Sequence, residues 1–125
     1  MKKWMFIFLA VWSLSVLFPV TARALDIVGT YDVKGTNPVD QKEYTGTLTI
    51  AQTGQTYKVL WDLSGTKYLG TGILLGDTLS VTYMDEQKSW FGVVIYKITA
   101  DGKTLEGKWA AFMGDALGSE TLTRK

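Results

Sequence analysis

Thr56-Tyr57-Lys58-Val59-Leu60-Trp61-Asp62-Leu63 alternates apolar and polar side chains with period two. In an extended chain, Tyr57, Val59, Trp61 and Leu63 share one face, and Thr56, Lys58, Leu60 and Asp62 share the other. The same alternation sets Leu79, Val81 and Tyr83 against Thr78, Ser80 and Thr82. It also sets Leu105, Gly107, Trp109 and Ala111 against Thr104, Glu106, Lys108 and Ala110. Such segments are strands with one buried face and one wet face. Phe91 to Tyr96 is the exception, being apolar on both faces, which predicts a central strand or one whose outer face meets something else.

Working outward, short runs rich in Val, Ile, Thr, Tyr and Trp recur between Gly-containing turns, the signature of strands and hairpins. Eight strands are predicted: Ile27–Lys34, Tyr44–Ala51, Thr56–Leu63, Lys67–Leu74, Thr78–Met84, Trp90–Thr99, Thr104–Phe112 and Gly118–Arg124. Asp101-Gly102 reads as a type I′ hairpin turn, with Thr53-Gly54, Ser64-Gly65, Gly76-Asp77 and Gly114-Asp115 as similar cases. Tyr44–Ile50 resembles Tyr68–Leu74 at an offset of 24 residues, and each is followed by a returning strand ending on an aromatic, Trp61 or Tyr83. Successive hairpins make an all-β, antiparallel up-and-down meander. Eight such strands hide their edges by closing into a barrel or by splitting into two packed sheets.

Ahead of these strands, Lys2 and Lys3 precede the apolar run Trp4 to Val20, and Ala22-Arg23-Ala24 offers small residues at a cut before Leu25. Residues 1–24 thus read as a secretory signal peptide, and residues 25–125 as one domain that is secreted or periplasmic. Retention of the run as a membrane anchor is the alternative, disfavoured by the Ala-Arg-Ala site and because no basic residues immediately follow the run. The cleaved form is not expected to be embedded in a membrane. With no Cys, neither lipid attachment nor a disulfide is available, and aromatic side chains burying ~150–250 Å² each must staple the core. Without Lys2, Lys3 and Arg23, ten basic residues face twelve acidic ones, a net charge of −2 that argues against a nucleic-acid partner.

The chain also lacks His, so together with Cys the commonest general base, thiol nucleophile and transition-metal ligands are missing. No Ser lies in a Gly-x-Ser-x-Gly setting. Asp85-Glu86 reads as a solvated hairpin tip, and Asp32 and Asp62 as outward residues. No catalytic residue, metal or cofactor is expected, and a carboxylate hydrolase using Asp32, Asp62 or Asp85 is the distant alternative. The aromatics are the concentrated resource. Tyr31, Trp61, Tyr83 and Trp109 fall on inward phases, where they either fill the core or line a pocket for a small apolar or flat ligand. The expectation is a filled barrel. Recognition then falls to loop Gly35–Glu43, including Asn37, and to the outer side of Trp90, Phe91 and Tyr96, with an extracellular or periplasmic protein as partner. The function expected is an exported, non-enzymatic binding or structural module, with a small-molecule carrier as the alternative.

Gly29-Thr30-Tyr31, followed by eight strands and Gly107-Lys108-Trp109, resembles the Gly-x-Trp opening of calycin barrels, the avidins and lipocalins, with Tyr for Trp. In avidins a polar residue two places after that aromatic reaches biotin; here that place is Val33, so no biotin-binding residue carries over. Gly29–Tyr31, Gly35–Pro38, Tyr44–Thr47, Gly70–Leu74, Gly92–Tyr96, Gly107–Trp109 and Glu120–Leu122 are similar to a pattern of small exported bacterial proteins, some labelled fibronectin-binding. That resemblance implies an adhesion or binding module without assigning a residue to it.

Overall fold

The computed structural model describes residues 25–125, and the signal peptide predicted over 1–24 lies outside the described residues. The strands are β1 (Gly29–Thr36), β2 (Glu43–Thr53), β3 (Thr56–Leu63), β4 (Thr66–Leu75), β5 (Thr78–Asp85), β6 (Phe91–Ile98), β7 (Thr104–Ala111) and β8 (Gly118–Arg124). Each pairs antiparallel with the next, and β8 returns to β1, with Val33 opposite Leu122 and Thr36 opposite Ser119. The two-sheet alternative therefore gives way to a closed barrel, which leaves no strand edge unpaired. No helix occurs among the described residues. The loop predicted from Gly35 is shorter than expected, because Gly35 and Thr36 pair with Tyr44 and Glu43 and extend the ladder.

Turn chemistry makes the two ends of the barrel different. At one end, β2–β3 and β4–β5 are two-residue turns whose first residues, Gly54 and Gly76, have φ of 59° and 61°, the type II′ pattern. The β6–β7 connection at that end is not the two-residue Asp-Gly hairpin expected. Only Gly102 has positive φ there, and Asp101 instead accepts hydrogen bonds from Thr99 Oγ1 (2.7 Å) and Lys103 N (2.9 Å) within a five-residue loop. At the other end, β3–β4 is a tight turn with Ser64 and Gly65 both at positive φ, while β1–β2, β5–β6 and β7–β8 are joined by longer loops.

The interior follows the strand alternation. Near the tight-turn end it is aliphatic: Ile50, Val59, Leu79, Leu105 and Leu122 are all buried. The segment ahead of β1 adds Ile27, whose carbonyl accepts the Tyr31 hydroxyl at 2.7 Å. Arg124 holds the Val28 carbonyl at 2.9 Å and places its guanidinium 5.1 Å from the Tyr31 ring centroid, so this end is stoppered. Towards the other end, inward glycines sit directly opposite inward aromatics: Gly35 faces Tyr44, Gly92 faces Tyr83, Gly107 faces Tyr96 and Gly118 faces Trp109. A Cβ on Gly35 would come within 2.0 Å of Tyr44, and one on Gly118 within 2.1 Å of Trp109. Each ring lies over its glycine, against the wall, as aromatic side chains do when they cover a glycine across a sheet.

Candidate functional site

Because the rings lie on the walls, the end carrying the longer loops is hollow. A cup of about 270 Å³ opens there, walled by Tyr44, Trp61, Tyr68, Tyr83 and Trp109. Glu120 and Val94 lie deeper, and Asn37, Leu63 and Thr66 also line it. The rings are steeply inclined to one another: Trp61–Tyr83 at 62° and Tyr68–Tyr83 at 78°, with centroids 6.0 and 6.1 Å apart. Tyr44 and Trp109 meet at 65° and 6.4 Å. These are edge-to-face pairs, whose quadrupoles hold each ring in place.

At the base lies Glu120, 4% exposed. Its Oε1 accepts the Tyr44 hydroxyl at 3.2 Å, and its Oε2 accepts Trp61 Nε1 at 3.2 Å and the Tyr96 hydroxyl in a very short bond. Trp61 can only donate, so the arrangement suits an ionised carboxylate. Burial nevertheless pushes the Glu120 pKa above its ordinary value, against these three hydrogen bonds, and no positive charge among the described residues offsets the burial. The Tyr96 hydroxyl is driven well up by burial and by Glu120, Tyr44 likewise, and Tyr83 is pushed up to about 12, chiefly by burial. All three phenols stay protonated. The Trp109 indole lies close enough to Tyr44 to favour its phenolate slightly, yet Trp109 Nε1 makes no hydrogen bond of acceptable geometry. It rests over Gly118, where a Cβ would come within 2.4 Å.

The residues singled out from the sequence divide among three places. Trp61, Tyr83 and Trp109 wall the cup, with Asn37 also lining it. Tyr31 belongs to the stoppered end, fully buried under Arg124, because it is the first inward position of β1. Tyr96 corrects the expectation of an outward partner-binding residue. It shares the inward phase of Val94 and Ile98, is fully buried, and bonds to Glu120. Trp90 and Phe91 are exposed at 68% and 47%, and Phe91 stacks on Phe112 with centroids 4.3 Å apart. Leu60, Leu69, Met84 and Phe91 are successive cross-strand partners, so an apolar row runs around the outside of β3 to β6. The barrel is filled only at its stoppered end, in contrast to the expectation of a filled interior.

Asp32, Asp62 and Asp85 do not converge. Asp32 lies 3.7 Å from Lys125 on the outside, and Asp62 accepts the Gly65 amide in the β3–β4 turn. Asp85 ties the β5–β6 loop by accepting Trp90 N, Ser89 N and Ser89 Oγ, contacts that hold its carboxyl below the usual range. Glu120 and the cup residues Tyr44 and Tyr68 were not foreseen. The available signal for Glu120 was its phase: it alternates with Ser119 and Thr121 and shares the inward face with Gly118 and Leu122.

This is an eight-stranded, antiparallel up-and-down barrel, closed at one end and open at the other. It is similar to a solved structure described as a redesigned beta barrel, with a TM-score of 0.70 over 82% of this chain and 96% of that one. At 17% identity that likeness concerns the fold alone. No family model matches the chain, and no curated protein matches it.

Proposed function

We propose that this protein is an exported binding module that holds a small molecule in the aromatic cup at the open end of the barrel. The carrying observation is a cavity of about 270 Å³ with five aromatic walls and one carboxylate at its base. That volume is near the lower end of the ~300–1,000 Å³ of sites for small ligands. Binding rather than catalysis is supported by the lining itself, in which Glu120 is the one carboxyl and no base accompanies it. The leader-like residues 1–24 support export. A thermal-shift and tryptophan-fluorescence screen of the purified protein against small neutral, cationic and anionic compounds tests the reading, since Trp61 and Trp109 wall the cup. Hits should vanish in Tyr68→Ala, which removes a partly buried wall of the cup and its edge-to-face contact with Tyr83. A screen without hits, or hits indifferent to Tyr68→Ala, would sink it.

The apolar row from Leu60 to Phe91, continued by the Phe91–Phe112 stack, favours a second reading in which a partner protein docks on the outer wall near Trp90. The resemblance to exported proteins labelled fibronectin-binding supports it. Adding fibronectin to the same screen checks this reading: binding should be lost in Phe91→Glu and kept in Tyr68→Ala.

A further inference from the structure

We infer that the ligand of the cup is a small organic cation, an alkylated ammonium, with Glu120 as its counter-ion. This rests on the cup being a binding site and goes further by assigning the chemistry of what binds. A buried carboxylate is costly unless charge or hydrogen bonds compensate it. Glu120 has three hydrogen-bond donors, from Tyr44, Trp61 and Tyr96, and no cationic partner among the described residues. The ion pairs among the described residues are elsewhere, on the outer surface, at Lys34–Glu43, Lys97–Asp77 and Lys125–Asp32. Arg124, the one cation among the described residues aimed at an interior ring, is committed to Tyr31 at the stoppered end.

When Glu120 is ionised, its charge therefore lies under aromatic rings with no cation beside it among the described residues, and is left for something that enters the cup. Ring faces attract a desolvated cation through their quadrupole, and do so best with Trp and Tyr, the ring types present here. A metal ion would want several oxygen ligands, whereas the cup lining supplies a single carboxylate. An anion would meet Glu120 at the base. A neutral apolar compound would fill the space but leave the charge without a partner. An alkylammonium satisfies both features, with its methyl groups against the rings and its charge towards Glu120.

The test uses purified protein and a series from methylammonium to choline, each matched with its uncharged carbon isostere, the tert-butyl analogue in the case of choline. The expected result is tighter binding of at least one cation than of its isostere, by about tenfold or more. That preference should fall towards unity in Glu120→Gln. It should also fall in the unaltered protein as the pH is lowered through the titration of Glu120. The titratable groups facing Glu120 are Tyr44, Tyr83 and Tyr96, which remain neutral across that range, so the carboxyl alone changes charge there. The pH series keeps the inference testable if Glu120→Gln does not fold. Isosteres that bind as tightly as the cations overturn the inference and leave the cup as a binding site. So does a series without binding when neutral compounds bind and are lost in Tyr68→Ala. If neither the series nor the broader screen yields a ligand, both readings fall.

Discussion

At the stoppered end the inward positions are mainly aliphatic, Ile50, Val59, Leu79, Leu105 and Leu122 beside the buried Tyr31 and Tyr57, whereas towards the open end the same sheet carries Trp61, Tyr83, Trp109 and Glu120. Both sets obey one rule, that alternate residues of a strand point inward. They differ in shape. Branched aliphatic side chains project from the wall and interdigitate at crystal-like density. Planar rings that lie over glycines stay near the wall, so the axis between them is left empty. Close packing is therefore concentrated at one end and open space at the other, and if the cup binds as proposed, stability and affinity should separate under mutation.

The largest effect is expected at the stoppered end. Leu105 is fully buried, and Leu105→Ala should cost about 2–5 kcal/mol, read by denaturant unfolding, without changing affinity for a cup ligand. A change in affinity with unaltered stability would dissolve the division of labour between the ends.

A smaller and mixed effect is expected at Gly118, which joins ring placement to cup volume. The new Cβ of Gly118→Ala would fall 2.1 Å from Trp109 Cε2, so the indole must swing off the wall. Overpacking of this kind costs about 1–3 kcal/mol, and the displaced ring should also block the cup. A stable variant with ligand affinity intact would show that the glycines are not what keeps the cup open.

The smallest effect concerns pH and sharpens the comparison electrostatically. Because the folded-state pKa of Glu120 is raised, the folded protein holds its proton more firmly than the unfolded chain does. The stabilising contribution of protonated Glu120 is present below the ordinary glutamate range and is lost as pH rises through the raised folded value. Asp77, Asp85 and Asp101 are shifted the opposite way, so their contributions are present above the ordinary aspartate range and are lost as pH falls through their lowered folded values. Thermal melts of the unaltered protein and Glu120→Gln across acid to neutral pH separate the two. The curves should converge as pH falls through the window assigned to Glu120, where the carboxyl becomes neutral like the amide, if that carboxyl carries the dependence. Parallel curves would place the titration elsewhere.

The residues show how far the primary structure reached. Period-two alternation located all eight strands within a residue or two; at β1 both ends shift by two, because pairing with β2 and β8 drew Gly35 and Thr36 into the ladder and moved the start to Gly29. The inward phases of Trp61, Tyr83 and Trp109 were legible for the same local reason. Tyr96 was misplaced because a segment apolar on both faces does not disclose which face is inside. Asp101-Gly102 was misread because the side chain of Asp101 bonds to Thr99 and Lys103 and organises a longer loop.

Strand content, antiparallel order and the inward face of the cleanly alternating strands were thus determined by the sequence itself, since alternation and turn chemistry act between neighbours along the chain. Tertiary structure decided the closure of β8 on β1, the hollow beside the rings and the burial of Glu120 under them. Those depend on partners distant in sequence: Tyr44 lies 76 residues from Glu120 and Trp61 lies 59. The space between such side chains is set only when the barrel closes and rings such as Tyr44, Tyr83 and Trp109 settle on the glycines opposite.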